Sequence, residues 1–144
     1  MGRKLSGDLD LHRSMLERQK LDLSKWIFIP FNVPSSKNNR VFTGSSFIEN
    51  KRCQKYRKDT KKYWLDKKVL FEKMKQGKSK PYYIMFYYVR GTHHKFDYCN
   101  MLQLPQDLMT EHEWLVDDNC NEIIPIILPY AYSKDNPGVY IKIL

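Results

Sequence analysis

Four aspartates, Asp97, Asp107, Asp117 and Asp118, lie in one short stretch of an otherwise basic chain. The chain has 144 residues and a formal net charge of +9. A basic surface attracts polyanions, and clustered carboxylates can hold Mg²⁺ against a phosphate group. The combination predicts a metal-dependent enzyme that acts on nucleic acid.

The spacing of the first two aspartates allows them to share one face of a helix. Asp97 and Asp107 are ten residues apart, which is close to three helical turns, or about 15 Å along the axis. They could therefore bind one metal ion only if the helix bends. Pro105 lies between them and is expected to kink or shorten the helix. Without that bend, Asp107 would support a ligand rather than bind the metal itself.

The Asp117–Asp118 pair comes just before a predicted strand. Successive strand residues point to opposite faces, so one of the two is expected to be a metal ligand and the other a turn or support residue. Interpretations without a metal stay open. Asp97 can be the N-cap of the following helix, and residues 117–119 can be a simple polar turn.

The charge is unevenly distributed along the chain. Residues 1–100 hold 23 Lys and Arg against 9 Asp and Glu, which gives +14, whereas residues 101–144 hold 2 against 7, which gives −5. Residues 51–80 are densest, with 13 basic and 3 acidic side chains. Such a block supplies phosphate contacts and steers a protein toward nucleic acid. The alternative is a helix face that is merely solvated.

Apolar periodicity predicts one α/β or α+β domain, with a small mixed β-sheet and two main helices. The predicted elements are a strand over residues 26–31, a hairpin over 41–48, a helix over 51–75, a strand over 82–89, a helix over 98–112, and strands over 123–128 and 139–144. The apolar stripe of the first helix runs through Tyr56, Thr60, Tyr63, Trp64, Lys67, Leu70, Phe71 and Met74. We interpret it as core rather than as a base-stacking platform.

Composition excludes several other classes of protein. Residues 1–25 form a charged N-terminal extension, with a short helix expected over 8–23, and they lack the apolar core of a secretory signal. No apolar run reaches the length of a membrane span. The three cysteines lack C-x-x-C spacing, which indicates a reduced, cytosolic setting. A zinc site would need Cys99, Cys120, His94 and His112 to meet through folding.

The run from Asp97 to Asp118 resembles the motif of RusA-type Holliday junction resolvases. That motif has the form D-x-D-N, then a helix with a lysine and L-D-x-L, then a hydrophobic turn that ends in D-D. The matching positions here are Asp97, Asn100, Gln103, Asp107, Leu108, Trp114, Leu115, Val116, Asp117 and Asp118. The segments 34–40 and 137–141 are also similar to the family. The likeness covers about residues 26–144.

The resemblance implies a small α/β fold, a homodimer, and a Mg²⁺-dependent endonuclease that nicks four-way DNA junctions symmetrically. Mn²⁺ is expected to substitute, and the setting is the cytoplasm of a bacterial or phage-infected cell. By this resemblance the catalytic residues are Asp97, Asp117 and Asp118, the metal ligands are Asp97, Asp107 and Asp118, and the supporting residues are Asn100 and Gln103. The residues expected to contact DNA are Lys37, Asn39, Arg40, Lys51, Arg52, Lys55, Lys58 and Lys95.

Two positions depart from the family pattern. Cys99 stands where the family has a second aspartate, and Gln103 stands where it has a lysine. A thiol is a poor Mg²⁺ ligand, and losing a cation removes a stabiliser of transition-state charge. These departures motivate an alternative function, a non-catalytic DNA-binding protein on a RusA-like scaffold. A further alternative, an RNA-binding module that stacks bases on Tyr82, Tyr83, Phe86 and Tyr87, lacks an RNP-type signature.

Overall fold

The computed structural model describes residues 22–36, 40–42 and 47–144; of residues 40–42, 47 and 48 it describes the backbone alone. The helix expected over residues 8–23 therefore lies almost wholly outside the described residues. At the start of the described residues, Leu23–Lys25 form one turn of 3₁₀ helix. Its first residue, Leu23, packs against the sheet.

The described residues form a mixed α+β fold, which confirms the predicted fold class. Its strands are β1 (Ile27–Pro30), β2 (Arg40–Phe42), β3 (Phe47–Glu49), β4 (Tyr82–Arg90), β5 (Ile123–Ile127), β6 (Ala131–Tyr132) and β7 (Gly138–Ile143), and its helices are α1 (Lys51–Lys75) and α2 (Tyr98–Glu111). The observed helices and longer strands lie within one or two residues of their predicted bounds. The two-residue strand β6 was not predicted.

The main sheet has five strands, four of them in the order β1-β7-β4-β5. β7 pairs antiparallel with both β1 and β4, while β5 and β6 run parallel to β4. β2 and β3 form a separate antiparallel pair, as the hairpin pattern predicted. None of the described helices is both long and apolar enough to cross a membrane.

Both helices pack on the same face of the main sheet. Alternate residues of β4 point to that face and are fully buried: Ile84, Phe86 and Tyr88. They join the apolar stripes of α1 and α2 in one core that contains Cys53, Tyr56, Trp64, Phe71, Met101, Leu104, Leu108, Met109 and Trp114. The structure thus confirms the prediction that the apolar stripe of the first long helix belongs to the core.

Two apolar patterns differ from the sequence interpretations. Leu70 belongs to the predicted apolar stripe of α1, yet it is exposed. On β4, Tyr83 is exposed, whereas Phe86 is fully buried beneath the helices. Since successive strand residues alternate between faces, Phe86 cannot join Tyr83 and Tyr87 in one base-stacking platform.

α2 continues unbroken through Pro105, contrary to the expected kink or shortening. Proline lacks the backbone N–H that would donate to the carbonyl four residues earlier, which is that of Met101. The hydroxyl of Tyr88 donates to this carbonyl instead, at 2.9 Å. Burial raises the pKa of Tyr88 well above its ordinary value, so the phenol stays protonated and remains a donor. A strand side chain therefore satisfies the group that the proline leaves without a partner.

Replacing Tyr88 by phenylalanine is expected to lower the free energy of unfolding by about 1–3 kcal/mol, because the buried Met101 carbonyl then loses its donor. Urea denaturation followed by circular dichroism measures the change. The control is Tyr83→Phe, which removes a hydroxyl from an exposed side chain of the same strand. Equal stabilities of wild type and Tyr88→Phe would contradict this account of how α2 tolerates Pro105.

Candidate nucleic-acid interface and active site

The N-terminal ends of both helices meet the segment that follows β1. The amide of Ser36 donates to the carbonyl of Asn100, in the first turn of α2, at 2.8 Å. The thiol of Cys53, in the first turn of α1, lies 3.9 Å from the carbonyl of Ser35. We call this region, formed by residues 34–36, 50–53 and 97–101, the helix-start corner. It brings together two parts of the family resemblance that are far apart in the sequence, the segment 34–40 and the run that begins at Asp97.

Asp97 stands at this corner, at the N-cap position of α2. Its backbone is extended, as an N-cap residue requires, but its side chain makes no capping hydrogen bond. The carboxylate instead accepts a hydrogen bond from the side-chain amide of Asn100, at 3.2 Å. Asp97 is exposed, so its carboxylate can bind a ligand from solvent while Asn100 orients it.

Asp107 lies further along α2, half-buried among charged side chains. Its negative charge raises the pKa of Arg57, on α1. The guanidinium of Arg57 also forms salt bridges with the carboxylates of Glu49, at 2.8 Å, and Glu111, at 2.6 Å. Burial lowers the pKa of Arg57, but the hydrogen bond to Glu49 and the charges of Glu49, Glu111 and Asp107 outweigh it, so the pKa is raised. Asp107 therefore belongs to an ionic cluster that joins α1, α2 and the end of β3.

Asp117 and Asp118 lie in the loop before β5, not in a strand. The expectation that strand alternation separates their roles is wrong, because β5 begins only at Ile123. Asp117 accepts hydrogen bonds from the Asp118 backbone amide, at 2.7 Å, and from the Asn119 side chain, at 3.0 Å. These bonds lower the pKa of Asp117. Asp117 thus forms the polar turn that was the alternative interpretation, and Asp118 is exposed beside it.

The predicted metal ligands lie before, within and after α2. Asp97 precedes the helix and the Asp117–Asp118 turn follows it, and a helix of 14 residues is about 20 Å long. Since α2 is unbroken, Asp107 also stays about 15 Å from Asp97 along the axis. Among the described residues, no group of three or more His, Cys, Asp or Glu side chains is placed to hold a metal ion. One chain therefore does not gather Asp97, Asp107 and Asp118.

A smaller ligand set still fits the chemistry of Mg²⁺. This ion is commonly held by one or two carboxylates, with waters and substrate phosphates completing its shell. Asp97, with Asn100 beside it, is the predicted ligand that adjoins the basic helix start, where phosphates would lie. The described residues thus fit a site that is completed by the substrate rather than a cage built from protein side chains.

The surface next to the helix-start corner is basic. Four of the predicted DNA contacts are exposed on the first two turns of α1: Lys51, Arg52, Lys55 and Lys58. Lys95, just before Asp97, is exposed as well. The N-terminal ends of α1 and α2 add the partial positive charge of their backbone amides. Lys37 and Asn39 lie outside the described residues, and Arg40 opens β2 with its side chain undescribed.

Arg90 is a residue of this region that sequence reasoning missed. It ends β4 and is only 6% exposed, and burial lowers its pKa. Its guanidinium donates to the carbonyl of Val33 and lies 4.9 Å from the centre of the Phe96 ring. Arg90 thereby positions the chain that leads to Ser36 and the chain that leads to Asp97. The sequence signal that could have identified Arg90 is its position as the one charged residue at the end of an aromatic strand.

The two residues that depart from the family pattern are both exposed on α2, Cys99 in its first turn and Gln103 in its second. No protein-family model matches the chain, and a comparison with curated proteins finds no match. The likeness to the RusA family therefore depends on the motif residues themselves and on where the fold places them.

Proposed function

We propose that this protein binds branched DNA and cuts it as a Mg²⁺-dependent, structure-selective endonuclease of the RusA type. The observation that carries the proposal is the hydrogen bond between Ser36 and Asn100. It joins the two separated motif segments at one corner, beside the basic first turns of α1. This convergence of the two segments supports the proposal.

In this proposal the residues of the corner have distinct roles. Lys51, Arg52 and Lys55 bind backbone phosphates, which is the sequence-independent part of DNA binding. Asp97 holds the metal against the phosphate to be cut, and Asn100 keeps the Asp97 carboxylate in place. A bound Mg²⁺ would supply a water of lowered pKa and neutralise charge on the phosphate. Arg90 keeps both chain segments in position.

The test is incubation of the protein with a synthetic four-way junction and with a linear duplex of the same sequence. We expect nicks in the junction that require Mg²⁺ or Mn²⁺ and stop with EDTA, and little cutting of the duplex. Symmetric nicks would accord with a homodimer, which is a separate expectation that light scattering checks. If junctions, forks and flaps all stay intact, the protein is not an endonuclease of this type.

A second candidate is a non-catalytic DNA-binding protein on the same scaffold. Asp97 and Asp118 lie beyond opposite ends of α2, and this separation favours a non-catalytic protein. Cys99 and Gln103 favour it as well, because they replace an aspartate and a lysine of the motif. It predicts junction binding that weakens steeply with salt and is indifferent to Mg²⁺. Calorimetry that detects Mg²⁺ binding in the wild type but not in Asp97→Asn would count against it.

A further inference from the structure

Two exposed rings are stacked on each other just beyond the end of β4. The ring centres of His93 and Tyr132 are 3.8 Å apart, and the ring planes differ by 24°. Both side chains are exposed, and Tyr132 keeps 38% of its surface open to solvent. A flat aromatic face at the surface can stack on any nucleobase, because every base has a π-face. We call His93 and Tyr132 the aromatic pair.

The sheet places the aromatic pair on the same side as both helices. The register of β6 against β4 pairs Tyr132 with Arg90, and Arg90 contacts the sulfur of Met101, in α2, at 3.7 Å. Paired residues of neighbouring strands point to the same face of a sheet, and successive residues alternate. In accord with this alternation, Ala131 packs in the apolar cluster on the opposite face. Tyr132 therefore points toward the side that carries the helix-start corner.

The segments that carry the aromatic pair are tied to Asp97. The backbone amide of Tyr130 donates to the hydroxyl of Tyr98 at 3.2 Å, and the Tyr130 ring packs edge-on against Phe96, with centres 5.0 Å apart. Phe96 and Tyr98 are the two neighbours of Asp97 in the sequence. Along the other segment, His93 is four residues from Asp97, a span of at most about 14 Å. The aromatic pair therefore lies beside the carboxylate that is proposed to hold the metal.

The loops that carry the aromatic pair are also basic. Lys95 lies between the histidine of the pair and Asp97, and Lys134 follows β6; both are exposed. Besides Asp97, the same two loops carry one acid, Asp135. Aromatic faces combined with nearby cations are typical of sites for unpaired nucleotides, where cations bind the backbone and rings stack on bases. A paired base is enclosed in its stack, and extruding it costs free energy that an unpaired base does not.

We propose that the aromatic pair stacks on an unpaired base at the branch point of DNA whose phosphate lies at Asp97. The proposal rests on the proposed function, because it takes branched DNA to bind at the helix-start corner. A branch point offers unpaired bases, whereas a continuous duplex does not, so the stacking contact gives the protein a preference for branched DNA. The sheet and the Tyr130 contacts already hold the segment of Tyr132 in place, so little conformational entropy is lost when a base binds.

Replacing Tyr132 by leucine tests the proposal on the full chain. The probe is a DNA fork with 2-aminopurine as the single unpaired base at its branch point, and binding is measured in EDTA so that no strand is cut. We expect the wild type to quench the 2-aminopurine fluorescence and to prefer the fork over a duplex of the same length. Tyr132→Leu should abolish the quenching and weaken fork binding about tenfold or more, with duplex binding unchanged.

Two further variants serve as controls. Tyr132→Phe keeps the ring and should keep both the quenching and the affinity for the fork. Tyr83→Leu removes another exposed tyrosine, near the start of β4, and should also leave both unchanged. Circular dichroism verifies that each variant folds, and His93→Leu repeats the comparison on the second ring if Tyr132→Leu does not fold.

Several results would overturn the proposal. These are quenching and fork affinity that persist in Tyr132→Leu, their loss in Tyr132→Phe, or equal losses for fork and duplex. Failure of the proposed function gives a different result, namely a wild type that neither prefers nor cuts branched DNA in Mg²⁺. A wild type that prefers branched DNA, and keeps this preference without the Tyr132 ring, contradicts the stacking contact alone.

Discussion

Replacing Asp97 by asparagine is expected to reduce the rate of junction cleavage by ~100-fold or more while changing junction affinity little. Asparagine keeps the shape of the side chain and the exposed position, so folding and phosphate contacts remain. It removes the negative charge that would hold the metal against the phosphate. Single-turnover cleavage in Mg²⁺, together with binding measured in EDTA, separates the two effects.

Two further substitutions serve as controls for Asp97→Asn. Asp107→Asn should leave cleavage nearly unchanged, because Asp107 acts on Arg57 in the ionic cluster between the helices. Asp118→Asn removes an exposed carboxylate at the far end of α2. A loss equal to that of Asp97→Asn would indicate that both carboxylates serve the cleavage reaction. Cleavage by Asp97→Asn at the wild-type rate would contradict the assigned role.

Reversing charge at the start of α1 is expected to weaken DNA binding strongly. The double variant Arg52→Glu, Lys55→Glu should lower junction affinity by ~100-fold at low salt and reduce the slope of log K against log salt by about two, one per lost phosphate contact. Acidic side chains are favourable in the first turns of a helix, so α1 should stay folded. Fluorescence anisotropy at several salt concentrations measures both quantities.

The matched control for this variant lies at the other end of α1 and just beyond it. Lys73→Glu, Lys78→Glu makes the same change in net charge at exposed positions, and α1, with 25 residues, is about 37 Å long. We expect this control to bind DNA far better than the variant at the helix start. Equal losses would mean that DNA responds to overall charge and does not bind at the helix-start corner.

The sequence predicted most of the fold because its periodicities are local and strong. The predicted stripe from Tyr56 to Met74 repeats at helical spacing, and β4 is long, aromatic and β-branched. Failures arose where a distant group decided the outcome. Pro105 was expected to disturb α2, because nothing in the sequence shows that the hydroxyl of Tyr88 replaces the missing donor. Asp117 and Asp118 were expected to follow the alternation of a strand, yet they lie in a turn before β5, which Asp117 itself organises through its hydrogen bonds.

The candidate site was less predictable than the fold. Residue types identified Asp97 and the basic start of α1, but whether carboxylates meet depends on the length and straightness of α2, and hence again on Pro105. Arg90 was not predicted because its role depends on two contacts, with Val33 and with Phe96, and these residues come from different parts of the chain. Spacing within a motif constrains sequence distance, whereas a metal site depends on distance in space.

The contact between Tyr88 and the carbonyl of Met101 also constrains how this chain can change through evolution. That carbonyl can be satisfied either by the Tyr88 hydroxyl or by a backbone amide at position 105, which proline lacks. Positions 88 and 105 are therefore expected to vary together in related chains. A lineage that replaces Pro105 first is free to lose the tyrosine afterwards, whereas the reverse order passes through a destabilised intermediate.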